Sequence, residues 1–158
     1  MSKNPEKREF ETFESLKAEV GKQLGISDWF EVDQDRINLF ADATGDHQWI
    51  HVDVERSNNE SPYGAPIAHG HLTLSLVPRL IANTIEYLPR TAGINYGLDK
   101  VRFMSPVKAG RRIRGRINLR SAERTNEKTV KVMYSTTVEI EGEDKPACVA
   151  DTIALYLN

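Results

Sequence analysis

The stretch GHLTLSLVPRLIANT, residues 70–84, decides the fold, because it is apolar nearly all round its first turns when it is drawn as a helix. A helix of that kind is enclosed by other structure rather than lying on a surface. We therefore predict a core helix over residues 70–84. Pro78 lies beyond its first turn, where proline removes one backbone hydrogen bond and crowds the preceding turn. We expect a kink or an early break there.

The second half of the chain has the two-residue period of β-strands. Apolar and polar residues alternate over residues 113–119, 130–140 and 147–157. The apolar set of the last run is Val149, Ile153, Leu155 and Leu157. A further strand over residues 94–104 changes phase between residues 97 and 100, which indicates a β-bulge. We predict consecutive antiparallel strands in this half.

The first half is helical in pattern. Apolar residues at helical spacing before Gly25 predict an amphipathic helix that stops there; they are Phe10, Phe13, Leu16, Val20 and Leu24. A short strand follows within residues 28–32, and Asp33 is suited to cap a second helix that ends at Gly45. The inward face of that helix is Ile37, Phe40 and Ala41. Residues 46–66 predict mostly irregular structure or short helical turns.

Helices followed by strands give the order of an α+β fold, in which one sheet packs on one dominant helix. The 158 residues, 39% hydrophobic and 28% charged, fit a single domain over residues 1–158, with residues 1–8 as a flexible tail. The lone Cys148 excludes an internal disulfide. Its place in an alternating apolar run predicts a packed side chain rather than a nucleophile.

The formal net charge of −2 gives the chain no overall attraction to nucleic acid or to an anionic membrane surface. Its longest apolar stretches are far shorter than the roughly 20 residues that a membrane-spanning helix needs. The start, MSKNPEKREF, is charged where a secretory signal is apolar. We therefore expect a cytoplasmic protein that binds neither nucleic acid nor membrane.

All the histidines fall between residues 46 and 71, in GDHQWIHVD and APIAHGHL. A carboxylate with an imidazole is the simplest pair that exchanges protons near neutral pH. Asp46 and His51 follow Gly45, and in a turn both side chains can face one water molecule. The alternative interpretation is that Asp46 caps a turn and His51 is a partly buried structural histidine.

Gly70 opens the predicted core helix, so its backbone N–H is one of the unpaired donors at a helix start, where negative charge is favoured. A glycine there lets a ligand carbonyl approach the backbone closely. Such a donor suits a thioester carbonyl that becomes enolate-like as water adds to the β-carbon. The alternative is that Gly70 only permits tight helix packing.

Two stretches, FADATGDHQWIHVD and GAPIAHGHLTLSL, resemble the MaoC-like dehydratase family, whose members include R-specific enoyl-CoA hydratases. The matching positions are Phe40, Thr44, Gly45, Asp46, His51, Asp53, His69 and Gly70. The resemblance implies the hotdog fold, an α+β fold in which an antiparallel sheet wraps one long helix. Hotdog proteins commonly join two such sheets, and a lone sheet leaves an uncovered edge, so we expect a homodimer.

The resemblance also implies the reaction, which is reversible hydration of a trans-2-enoyl-CoA, or another enoyl thioester, to the (3R)-3-hydroxyacyl product. Asp46 accepts a proton from water, His51 holds that water and protonates the α-carbon, and the Gly70 N–H polarises the carbonyl. Coenzyme A enters as part of the substrate, and no separate cofactor is expected. Asp53 either orients His51 or has a structural role in its loop.

The chain departs from the family pattern at positions that bear on the substrate. Gln48 and Trp49 stand where many members have Asn-Pro, so an acyl-chain preference does not transfer. Some hydratases have a serine where Pro78 aligns, and Ser75 is the nearest hydroxyl here.

Other functions remain open on sequence alone. A thioesterase of the same fold directs the activated water at the carbonyl and releases thiol. A non-catalytic acyl-binding module, resembling nodulation-type N proteins, is the alternative of a different class. The histidine pairs His47/His51 and His69/His71 invite a metal, but no H-E-x-x-H motif or cysteine pairing accompanies them, so we expect none.

A basic stretch meets the phosphates of coenzyme A or is a solvated strand face. Its members are Lys100, Arg102, Lys108, Arg111, Arg112, Arg114 and Arg116. Their alternating positions favour the solvated face.

Overall fold

A six-stranded sheet and two consecutive helices form the centre of the structure, a computed structural model that describes residues 7–158. The strands within this range are β1 (Arg8–Phe10), β2 (Gln23–Ile26), β3 (Phe30–Val32), β4 (Ile85–Tyr87), β5 (Ala92–Phe103), β6 (Arg111–Asn126), β7 (Thr129–Ile140) and β8 (Cys148–Leu157). The helices are α1 (Phe13–Lys17), α2 (Gln34–Thr44), α3 (Trp49–Val52), α4 (Val54–Glu60), α5 (Gly70–Ser75) and α6 (Val77–Thr84).

The large sheet has the strand order β2–β6–β7–β8–β5, and β3 also pairs with β6. Every pairing in this sheet is antiparallel. Helix α5 contacts β8, and α6 contacts β6. The predicted α+β arrangement, an antiparallel sheet around a central helix, is therefore confirmed. A small parallel pairing of β1 with β4 lies beside it.

Strand alternation is confirmed over residues 113–119 of β6 and along β7, where every second residue is buried. In β8 the strand is confirmed but its buried face carries the opposite set, with Cys148, Ala150 and Tyr156 buried and Val149 half-buried. The cause is helix α5, because Cys148 and Ala150 share a cluster with Leu72 and only small side chains leave room for the helix. Burial raises the pKa of the Cys148 thiol to about 11, as expected of a packed cysteine.

The central helix is broken, as Pro78 predicted. Helices α5 and α6 are separated at Leu76, and Pro78 lies in the first turn of α6, where its missing N–H leaves no helical partner unsatisfied. The prediction of complete enclosure is wrong on one side. Ser75, Pro78, Arg79 and Ala82 are exposed in the single chain, so α5 and α6 share an uncovered face.

The predicted helix over residues 10–24 is also wrong in extent. Helix α1 spans only Phe13–Lys17, and the chain then turns at Gly21, whose φ of 86° is left-handed, before β2 begins. Leu24 is buried from a strand instead of a helix. At Gly25, a Cβ would lie 2.7 Å from the Thr84 side chain, so this glycine allows β2 to approach α6 rather than ending a helix.

Shorter predictions are confirmed. The Asp33 side chain accepts a hydrogen bond from the Arg36 N–H and caps α2, and Gly45 ends that helix with a φ of 78°. Strand β5 shifts register after Asn95 and again after Leu98, which is the predicted bulge. Arg8 belongs to β1, so the predicted tail is wrong there, and residues 1–6 lie outside the described residues. Between residues 7 and 158, no helix is long and apolar enough to cross a membrane.

Candidate active site

Asp46 is positioned by the end of helix α2. The Thr44 hydroxyl donates to the Phe40 carbonyl, and the Asp46 N–H lies 3.4 Å from that hydroxyl oxygen. Together with the left-handed Gly45, these contacts turn the chain sharply out of the helix. The Asp46 carboxylate is exposed in the single chain, and a weak contact of 3.4 Å from the Gln48 N–H reaches one of its oxygens.

His51 lies on the short helix α3 and is buried, with 7% of its surface exposed. Its Nδ1 is 2.7 Å from the Ile67 carbonyl oxygen. Because a carbonyl only accepts, Nδ1 carries the hydrogen, and the neutral ring presents Nε2 as an acceptor. The Gln34 amide donates to the backbone carbonyl of His51 at 2.8 Å and ties α3 to the start of α2.

The pKa of His51 is lowered below its usual value. Burial is the largest cause, because it disfavours the charged ring. The Ile67 carbonyl and Asp46 oppose this shift, and His69 adds to it. At neutral pH His51 is therefore neutral and ready to accept a proton.

His69 is the residue whose part in the site the sequence did not reveal. Its ring stacks on that of His51, with centroids 3.8 Å apart, and its Nε2 lies 2.9 Å from the backbone carbonyl oxygen of Asp46. His69 thus joins the Asp46 turn, the His51 ring and the start of α5. Its Nδ1 is buried and has no hydrogen-bond partner within residues 7–158. The sequence signal was its place directly before Gly70 in the family motif.

Gly70 is the first residue of α5, so its N–H has no partner inside the helix. A Cβ at this position would lie 3.1 Å from the Phe103 ring, closer than ordinary side-chain contacts allow. Gly70 also lines a cavity of about 340 Å³ together with Tyr63, Met104 and Ala147. Both expectations for Gly70 are therefore compatible with the structure, since packing is tight and open space lies beside it.

The structure brings together one Asp and two His side chains. A potential ligand atom from each of Asp46, His51 and His69 lies within 4.8 Å of the others. The sequence had suggested other histidine pairs, and these do not form: His47 bonds to Asp42 at 2.8 Å, and His71 meets the edge of the Phe103 ring. Carboxylate and imidazole atoms this close suit one water molecule or one metal ion equally well in chemical terms.

Other predicted residues have structural roles. Asp53 accepts a hydrogen bond from the Arg56 N–H at 3.0 Å and caps α4, which is the loop role expected of it. Arginines of the basic stretch pair with glutamates along the sheet: Arg111 with Glu143, Arg112 with Glu141, and both Arg114 and Arg116 with Glu139. Four of the seven basic residues are therefore ion-paired, which agrees with a solvated strand face.

Several known proteins are similar to this chain over most of its length. The family model "MaoC like domain" matches residues 15–141. The 3-hydroxyacyl-thioester dehydratase Z of Mycobacterium tuberculosis (strain ATCC 25618 / H37Rv) is 49% identical over 150 residues, which cover 95% of this chain and 99% of that protein. Nodulation protein N of Rhizobium leguminosarum bv. viciae is 50% identical over 137 residues, which cover 86% of this chain and 85% of that protein.

A solved structure supports the fold separately. The unliganded R-hydratase PhaJ1 of Pseudomonas aeruginosa superposes with a TM-score of 0.69 at 22% identity, covering 89% of this chain and 83% of that one. The family match spans most of the chain, and the sheet around α5 and α6 is that of the hotdog fold. The chain therefore belongs to the MaoC-like domain family, in its hydratase/dehydratase class of enzymes.

Proposed function

We propose that the protein catalyses reversible hydration of a trans-2-enoyl-CoA, or another enoyl thioester, to the (3R)-3-hydroxyacyl thioester, with Asp46 and His51 as the acid/base pair. The observation that carries this proposal is that side-chain atoms of Asp46, His51 and His69 lie within 4.8 Å of one another. His69 directly precedes Gly70, the first residue of α5. The name of the dehydratase at 49% identity supports the thioester substrate. Coenzyme A is then part of the substrate, and no separate cofactor is required.

Proton balance assigns complementary tasks to the pair. Hydration removes one proton from water, adds hydroxyl to the β-carbon and places one proton on the α-carbon. Asp46 accepts the proton from water, while Nε2 of His51 accepts a hydrogen bond from the same molecule. Because His51 begins neutral, it delivers a proton to the α-carbon only after receiving from Asp46 the proton that Asp46 took from the water. The two groups must therefore act as a unit.

The Gly70 N–H is the proposed donor to the thioester carbonyl. As hydroxyl adds to the β-carbon, negative charge moves to the carbonyl oxygen, and a fixed backbone donor stabilises that charge without rearrangement. The site's position supports this role, because Gly70 follows His69, whose ring touches both catalytic residues.

A homodimer completes the proposal. Among residues 7–158, strand β5 pairs only with β8, so its other edge is unpaired within this range, and large apolar side chains on it or just after it are exposed. They are Ile94, Tyr96, Leu98, Phe103 and Met104. An unpaired apolar edge is stabilised by pairing with a second copy. Light scattering at micromolar concentration should give twice the mass of one chain, and a monomer throughout that range would contradict the dimer. We further propose that the enzyme acts in the cytoplasm.

The test of function is a direct assay of wild-type protein with trans-2-enoyl-CoA esters of increasing length. Loss of the conjugated double bond without release of free thiol, and mainly 3R product by chiral chromatography, is the expected result. Thiol release would identify a thioesterase instead, and mainly 3S product would reject the stereochemical assignment. If Asp46, His51 and His69 hold water rather than a metal ion, neither a chelator nor added zinc should change the activity.

Nodulation protein N, at 50% identity, keeps a second candidate open, which is an acyl-binding module without catalysis. One measurement, hydration of an enoyl ester by folded protein, distinguishes the enzyme from the binding module. Folded protein that binds acyl-CoA but hydrates no enoyl ester over hours would favour the module. The retained Asp46, His51 and Gly70 favour the enzyme, because acyl binding alone requires no proton-exchanging pair.

A further inference from the structure

A second cavity follows the uncovered face of the central helices. It has a volume of about 510 Å³ and is lined along α5 and α6 by Leu74, Ser75, Pro78 and Ile81. Ser75 lies five residues after Gly70, about 7.5 Å along a helix that rises 1.5 Å per residue. The cavity therefore lies along the same pair of helices whose first residue is Gly70.

The far part of this cavity is built from tyrosines of separate strands. Tyr87 of β4, Tyr134 of β7 and Tyr156 of β8 all line it, and each is at most 4% exposed. The hydroxyls of Tyr134 and Tyr156 lie 2.9 Å apart, and the rings of Tyr87 and Tyr156 stack with centroids 5.7 Å apart. The cluster places three phenol groups at the end of a cavity whose other lining is mostly apolar.

Hydrogen-bond accounting leaves donors unused in this cluster. The Tyr87 hydroxyl is buried and has no partner within residues 7–158. In the Tyr134–Tyr156 pair one hydroxyl donates to the other, so the second hydrogen remains free. Burial raises the pKa of Tyr134 well above its usual value and raises that of Tyr156, so both phenols keep their hydrogens.

Arg90 adds a cation beside the tyrosines. Its guanidinium lies 5.0 Å from the centre of the Tyr156 ring, and Arg90 lines the same cavity. Among the described residues no carboxylate forms a salt bridge with Arg90, in contrast to the paired arginines of β6. Arg90 thus adds a positive charge to the cavity that the unpartnered Tyr87 hydroxyl also lines.

A simple alkyl chain would not use these groups. Phenylalanines would give an alkyl chain the same apolar surface without an unpartnered buried hydroxyl, which costs free energy in the empty protein. We propose that this cavity holds the acyl chain of the substrate and that Tyr87, with Arg90, recognises an oxygen atom at the far end of that chain. This inference rests on the proposed hydratase function and narrows its substrate to acyl groups with a distal hydroxyl, oxo or carboxylate oxygen.

The test uses trans-2-enoyl-CoA esters in matched sets, each length ending in methyl, hydroxyl or carboxylate. At the best-fitting length, an oxygen-bearing ester should exceed the methyl ester by at least about tenfold in kcat/KM, the ratio that roughly one net hydrogen bond supports. Tyr87→Phe should abolish that preference, so that kcat/KM becomes equal for methyl and oxygen-bearing esters of the same length. Arg90→Gln should reduce the carboxylate esters selectively if the distal group is an anion, and should act equally on hydroxyl and carboxylate esters if it is neutral.

A matched control is Tyr96→Phe, which removes the hydroxyl of a tyrosine that lines the same cavity but is 64% exposed in the single chain; this variant should leave the preference unchanged. Tyr87→Phe should also unfold at no lower denaturant concentration than wild type when ligand is absent, because it removes an unpartnered buried group. If the Tyr87 hydroxyl stabilised the fold, the variant would instead unfold at a lower denaturant concentration than wild type.

Methyl esters hydrated as fast as oxygen-bearing esters at every length would overturn the inference while leaving the hydratase function intact. Failure to hydrate any ester would reject the function. In that case, calorimetric binding of saturated acyl-CoA esters still tests recognition of the distal oxygen. Equal affinity for esters that end in methyl and for esters that end in an oxygen-bearing group would overturn it.

Discussion

Two Asp/His pairs with the same spacing lie next to each other in this protein, and they are physically opposite. Asp42 and His47 are exposed and bond to each other directly at 2.8 Å. Asp46 and His51 are not hydrogen-bonded to each other, and the His51 ring is buried with Nδ1 held by a backbone carbonyl. The pKa of His47 is raised, chiefly by its bond to Asp42, whereas that of His51 is lowered by burial.

The difference shows that residue type and spacing do not by themselves make an acid/base site. In the outer pair, Asp42 and His47, each side chain is the hydrogen-bond partner of the other, and solvent surrounds both. In the inner pair, Asp46 and His51, a backbone carbonyl fixes the imidazole, and its Nε2 can accept a hydrogen bond from a water molecule. The inner pair also lies beside His69 and Gly70, which the outer pair does not contact directly.

The largest expected effect separates the two pairs. Asp46→Asn or His51→Gln should each lower kcat/KM by at least about 10², or roughly 2.7 kcal/mol of transition-state stabilisation. If both groups serve one water molecule, the double variant should be scarcely worse than the poorer single variant. Steady-state hydration of an enoyl-CoA ester measures all of these variants, with circular dichroism to confirm folding.

The controls for that experiment are Asp42→Asn and His47→Gln, which make the same chemical changes in the exposed pair. They should retain wild-type kcat/KM within a few-fold. Comparable losses in both pairs, or activity within a few-fold of wild type in folded Asp46→Asn and His51→Gln, would contradict the assignment. Multiplicative losses in the Asp46/His51 double variant would reject only the shared water.

The next effect concerns the donor that only the inner pair has nearby. In Gly70→Ala the new methyl group meets the Phe103 ring at 3.1 Å, so the ring or the start of α5 must shift. We expect a loss of about tenfold or more in kcat, since displacing an oxyanion donor costs up to about 10² to 10³. Wild-type kcat in folded Gly70→Ala would remove Gly70 from the carbonyl site.

A smaller effect should appear in the pH profile of His69→Gln. Neutral His51 is the active form, so kcat/KM falls when pH drops through its pKa. His69 is one of the groups that lower this pKa, and its removal should move the acid limb to higher pH. Asp46 acts in the opposite direction. A purely structural role for His69 would lower the rate without moving the limb.

The smallest effect is on acid stability. The folded pKa of His51 lies below its unfolded value of about 6.5, so its contribution to stability is fully present above that pH and declines as pH falls towards the folded pKa. His47, whose pKa is raised, has the opposite sign and contributes at low pH. As pH falls from above 6.5 through the folded pKa of His51, the free energy of unfolding measured with urea should therefore decrease less in His51→Gln than in wild type. In His47→Gln it should decrease more than in wild type.

Sequence patterns predicted the parts of the fold that depend on nearby residues. The Asp33 cap, the Gly45 helix end and the β5 bulge each follow from a few consecutive positions. Residues 10–24 were assigned wrongly because their apolar side chains suit a helix, although the chain buries most of them from β1, α1 and β2. The buried face of β8 was missed because helix α5, not the strand itself, decides which side chains fit.

The same limit applies to the sites. Asp46, His51 and Gly70 stand within 25 positions of one another, so a motif could contain them. The contact between His69 and the Asp46 carbonyl depends on how two loops fold together, and no residue pattern records it. Tyr134 and Tyr156 lie on neighbouring strands of the large sheet, whereas Tyr87 lies on β4 of the small one, so only the tertiary fold brings the three together. Sequence reasoning therefore located the proposed chemistry but not the far end of the cavity.

The interruption at Leu76 offers a practical route to redesign. Because α5 and α6 are separate helices, a substitution after Pro78 need not propagate through a continuous hydrogen-bond ladder to Gly70. The side chains of α6 can then be exchanged as a cassette to alter which acyl groups are accepted, while the reacting end keeps its alignment. A single unbroken helix would transmit each adjustment at one end as a rotation or shift at the other.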